Sequence, residues 1–72
     1  MKIVTSTEDA LALIDAHEGT PESFSLCISD SLIDPVGVNM AIITDRILGR
    51  GWEPAGFTQE NEYRVCTFKE LE

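Results

Sequence analysis

From Ser23 to Ser29 the chain alternates strictly, with Phe24, Leu26 and Ile28 apolar and Ser25, Cys27 and Ser29 small between them. A period of two belongs to a strand that packs on one face only. The segment therefore predicts a strand whose small-residue face is either wet or covered by another subunit. Asp30 to Ile33 reads as a connection, and a different period follows it. Val36, Met40, Ile43 and Ile47 fall at offsets of four, seven and eleven, one stripe on a 3.6-residue repeat. Gly37, Ala41, Thr44 and Leu48 lie along its flank, where small side chains permit close approach to a neighbour. An N-cap carboxylate accepts orphan amide hydrogens and proline fits a first turn, so Asp34–Pro35 predicts a helix start. The helix is expected from Pro35 to about Arg50. Arg46 and Arg50 suit its C-terminal dipole, Gly51 stops it, and Trp52 is expected to fold back on Ile47.

Two apolar strands follow, Glu53 to Gln59 and Tyr63 to Lys69, turning near Glu60, Asn61 and Glu62. Asn61 is the residue best able to take a positive φ there. A two-residue loop opposes Phe57 to Arg64, and one more loop residue opposes it to Val65. Pro54 cannot donate to a ladder, which predicts an edge strand or a bulge at that end. Upstream, Lys2 to Thr5 reads as a short strand. Thr5 to Glu8 and Ser6 to Asp9 both fit capping spacing, the former better. Ala10, Leu11, Leu13 and Ile14 give the helix that follows an apolar face, and Gly19 with Pro21 ends it. The predicted order is β-α-β-α-β-β in one domain, residues 1–72. Its class is α/β of the α+β kind, a two-layer sandwich with both helices on one face of a small mixed sheet. A crossover joining adjacent parallel first and second strands is expected to be right-handed.

The stretch from Ile47 to Lys69 resembles a family of small bacterial domains of unknown function. Their pattern is a helix ending in Leu-x-x-x-Gly-Trp-Glu, then a hairpin whose last strand closes with Phe-Lys. The matching residues are Leu48 (one place nearer the glycine), Gly51, Trp52, Glu53, Phe57, Phe68 and Lys69. A strand precedes the helix in that family, and Ser23 to Ser29 fills the role. The resemblance implies the fold of this part and carries no activity.

Charge narrows the function classes. Thirteen Asp and Glu against five Lys and Arg give a net charge of −8 over 72 residues. Nucleic-acid binding rests on neutralising phosphates, and anionic membranes attract cations, so both are disfavoured. The carboxylates are scattered from Glu8 to Glu72 without forming a block, as expected of a solubilising surface. No signal-peptide pattern or membrane-length apolar stretch is present, so the expected location is cytoplasmic. There Cys27 and Cys66 are expected as thiols.

Candidate chemistry is sparse. His17, the only histidine, is expected at the end of the first helix, where an imidazolium suits the dipole. No Gly-x-Ser-x-Gly elbow accompanies it. Cys27 and Cys66 read as inert thiols. A disulfide or redox pair, or a metal site with His17, are alternatives, although zinc sites usually show close ligand pairs. Neither cysteine opens a helix or adjoins a lysine, so thiolate activation is not indicated. Glu8 with Asp9, and Glu60 with Glu62, read as solvated carboxylates, and Gly49–Arg50–Gly51 as a helix end. No catalytic residue, cofactor or metal is implied.

Aromatic residues concentrate in the hairpin as Trp52, Phe57, Tyr63 and Phe68. Core filling competes with partner binding for them. Tyr63 and Phe68 differ in parity, so one must face away from the helices. The favoured expectation is a non-enzymatic protein-interaction module or accessory subunit, binding a protein partner or a second copy as a homodimer. Two alternatives stand beside it. One is an acidic inhibitor, a nucleic-acid mimic encoded by a mobile element; the other is a small metal or redox protein using His17, Cys27 and Cys66.

Overall fold

The computed structural model describes residues 2–72. Strands β1 (Ile3–Val4), β2 (Ser25–Ser29), β3 (Trp52–Gln59) and β4 (Tyr63–Glu70) and helices α1 (Thr7–Ala16) and α2 (Val38–Gly49) follow in the order β-α-β-α-β-β. Short 3-10 turns at Pro21–Ser23 and Asp30–Leu32 bracket β2. The sheet order is β1-β2-β4-β3. β1 runs parallel to β2, and β4 is antiparallel to both β2 and β3. The last strand is thus inserted between β2 and β3, which α2 connects.

Alternation along β2 does what its sequence requires. Leu26 and Ile28 enter a core with Val4, Cys66 and Phe68 from the sheet, Ala10 and Ile14 from α1, and Ile43 and Ile47 from α2. Phe24 joins them just before the strand, and Met40 packs against the edge of the core. Both helices therefore lie on one face, the two-layer α+β arrangement. Burying side chains of this size stabilises the fold by about 1.5–3 kcal/mol each, which is how a short chain offsets its ordering entropy.

Element starts differ from expectation in instructive ways. The cap of α1 is Ser6, whose hydroxyl accepts from the Asp9 amide at 3.1 Å; Thr5 is not the cap. Helix α2 begins at Val38 instead of Pro35. Asp34 to Gly37 forms a turn closed by Gly37 N–H to Asp34 C=O at 3.1 Å. From that turn the Asp34 carboxylate still accepts from the amides of Val38 (3.0 Å) and Asn39 (3.2 Å). Those two N–H groups hold its pKa below the usual 3.8. Val36 consequently leaves the helical stripe and stands 83% exposed.

The hairpin also departs from expectation. Asn61 has no positive φ, since no non-glycine residue described does. The loop is Asn61–Glu62, closed by Glu60 N–H to Tyr63 C=O at 2.8 Å. It opposes Phe57 to Cys66, in place of Arg64 or Val65. The two-residue loop lies one position further along the chain than a loop at Glu60–Asn61, and Asp30 N–H, donating to Glu62 C=O at 2.9 Å, ties it to the end of β2. Pro54 lies on the edge strand, and the register slips between Pro54 and Gly56, leaving Ala55 as a bulge.

Candidate functional site

The four hairpin aromatics divide cleanly. Trp52 and Phe68 are buried and stack around Phe24, each with its ring centroid 5.6 Å away. Both belong to the core. Tyr63 pairs with Ser29, whose parity sets it on the face away from the helices, as its offset from Phe68 requires. Phe57 lies on the helix side of the edge strand and is 59% exposed. Tyr63 and Phe57 thus mark two different surfaces.

His17 is drawn into the aromatic cluster, 4.9 Å from Phe24 and 5.7 Å from Trp52 between ring centroids. Its Nε2 lies 3.1 Å from both Thr20 C=O and Ser23 Oγ. Arg50 brings a cation to the end of α1, where it donates to the carbonyls of Ile14 and His17 and lies 4.2 Å over the Trp52 ring. Cys27 and Cys66 sit on adjacent strands one register step apart, Cys27 opposite Val65 and Cys66 opposite Leu26. They therefore project to opposite faces, which no disulfide can bridge without backbone movement. Both are free thiols, and burial pushes the Cys66 pKa up, with Arg64 opposing weakly. Among the described residues no three His, Cys, Asp or Glu side chains could share a metal ion. The structure does not bring His17 and the two cysteines together.

One whole face of the sheet carries no helix. The register assigns it Ile3 from β1; Ser25, Cys27 and Ser29 from β2; Thr58 from β3; and Tyr63, Val65 and Thr67 from β4. The charged strand residues on it are Glu53 and Lys69, which pair with one another at 3.3 Å, and Glu72, just beyond β4, lies 4.0 Å from the same lysine. In a chain of net charge −8 this face is close to neutral. Cys27 is only 3% exposed here, because Ile3 and Val65 flank it in the ladder.

The helix side carries the other surface. Beyond α2 the sheet is incompletely covered, and a cavity of about 150 Å³ opens between Met40, Ile43 and Thr44 above and Phe57, Arg64 and Cys66 below. Arg64 stacks its guanidinium 4.3 Å over the Phe57 ring. Nothing singled out Arg64 in the sequence, yet its even spacing from Cys66 and Phe68 was a usable signal. A cation on the packed side of a strand is out of place unless something uses it. The loop end of the sheet gathers Asp30, Glu60 and Glu62 around Gln59, whose Nε2 donates to Asp30 Oδ1 at 3.1 Å.

Comparison of the chain with models of known families, with curated proteins and with solved structures finds no match. No helix among the described residues is long and apolar enough to cross a membrane.

Proposed function

We propose that this protein is a non-enzymatic interaction module that works as a homodimer, two copies meeting through the helix-free faces of their sheets. The observation that carries this reading is the near neutrality of that face. Two copies that each bear a charge of −8 repel one another over most of their surfaces. Ile3, Cys27, Tyr63, Val65 and the Ser and Thr side chains around them offer an approach where like charges need not meet. Face-to-face packing of two sheets about 10 Å apart is an ordinary solution for such surfaces. A half-buried Tyr63 at the rim suits it, since tyrosine combines an apolar ring with a polar tip.

The test is sedimentation equilibrium on the wild type and on Thr67→Glu and Ser25→Glu, two exposed positions directly opposite one another on this face. A wild-type mass of twice 7.9 kDa that falls to the monomer value in both folded variants supports the reading. A wild type that stays monomeric throughout the micromolar range overturns self-association. A dimer indifferent to both substitutions moves the interface elsewhere and overturns this surface.

A further inference from the structure

We propose that the cavity between α2 and the outer strands is a binding site for a small carboxylate with a short apolar tail, and that Arg64 is its anion anchor. The site lies on the opposite side of the sheet from the dimer surface and stands without it. Its walls are Met40, Ile43, Thr44, Phe57 and Cys66, with Arg64 the one cationic side chain among them. Arg64 Nε is the one buried side-chain polar atom among the described residues that lacks a hydrogen-bond partner. A guanidinium with a desolvated, unused donor is costly unless an acceptor reaches it. No side-chain carboxylate holds it: Arg46 pairs with Asp15, Lys69 with Glu53, and Arg50 with backbone carbonyls, but Arg64 has only the Phe57 ring.

Phe57 packs its ring against the guanidinium, and the planar fork of an arginine matches a carboxylate through two parallel hydrogen bonds. The ligand's carboxylate accepts from Nε and a terminal nitrogen of Arg64 once a small shift of the side chain uncovers Nε, while its tail lies between Met40 and Phe57. A volume of about 150 Å³ is that of an apolar cavity that takes up a six-carbon ring such as benzene, and hexanoate, with a five-carbon tail beyond its carboxylate, is a probe of that scale. The surrounding negative charge keeps affinity modest and favours one carboxylate over multiply charged anions.

The test is an NMR titration of ¹⁵N-labelled protein with sodium hexanoate and, in parallel, with neutral hexanamide. Saturable shifts confined to Met40, Thr44, Phe57, Arg64 and Cys66 in the millimolar range are expected, with the amide at least about tenfold weaker because it forgoes the charged pair. Arg64→Gln, checked for folding by its own spectrum, should erase the difference between the two compounds. Phe57→Ser, at an exposed ring, should weaken hexanoate without that risk to the core. Equal binding of acid and amide by the wild type overturns the role of Arg64. Absence of saturation, or shifts scattered outside the cavity, overturns the site.

Discussion

Arg50 does at the end of α1 what its position in the chain assigns to the end of α2. Its guanidinium spans the two helices by donating to Ile14 C=O and His17 C=O while covering Trp52. Removing a charged donor from orphan carbonyls and from a ring face should cost about 1–2 kcal/mol. We expect urea denaturation of Arg50→Ala to report a loss of that size. Arg50→Lys should recover only part of it, because an ammonium lacks the fork that reaches two carbonyls. Asp34 makes a prediction in pH. Its folded pKa lies below 3.8, so the unfolded chain takes up this proton first as the medium acidifies. The contribution of its charge is whole above 3.8 and is lost as pH falls through the folded value. Asp34→Asn should therefore be less stable than wild type at neutral pH, and the two should converge in strong acid. A gap that stays constant across that window would assign the effect to shape instead of charge.

Each turn leading into or out of α2 depends on a glycine that no side chain replaces cheaply. Gly37 precedes the helix at φ 79° and Gly51 follows it at φ 77°. Gly51 N–H also donates to Leu48 C=O at 2.9 Å, so a distortion there reaches both the helix and the first residue of β3. Gly51→Ala should destabilise by about 1–2 kcal/mol, the left-handed penalty of a Cβ, although open space surrounds that position. Thermal unfolding checks the size, and unchanged helicity in the circular dichroism of the native variant checks the cause. The interiors of these elements were legible in the sequence, because periods of two and 3.6 express which side meets the core: Leu26 and Ile28, Ile43 and Ile47. Their ends were not. Asp34 caps from a turn four residues ahead of Val38, a reach that spacing alone does not disclose, and so Val36 fits the helical spacing in sequence without joining the stripe in the fold. The hairpin register escaped for a similar reason. It turns on which residues form the loop, and that loop is tied through Glu62 to Asp30, a residue far off in sequence.

At the scale of the molecule, two surfaces lie on opposite sides of one sheet, and the sequence disclosed them unequally. The helix-free face followed from the small residues of β2 and from the parity of Tyr63. The cavity did not, because it is made by what α2 leaves uncovered, and helix placement over a sheet is a property of packing. If two copies do pair through the helix-free face, the thermal midpoint should climb as protein concentration is raised, since dissociation is coupled to unfolding. A midpoint independent of concentration, in the range where the wild type would be dimeric, would count against pairing. The strand order has a consequence of its own. β4 leaves the ribosome after the other three strands of this sheet, yet it is the one to which both β2 and β3 are stitched. Until Tyr63–Glu70 has emerged, the nascent chain holds two strands with no common partner and an unfinished oily layer beneath α2. Closure of the sheet therefore waits for that strand, and a translational stall anywhere before Tyr63 leaves the sheet open to the cell's chaperones and proteases.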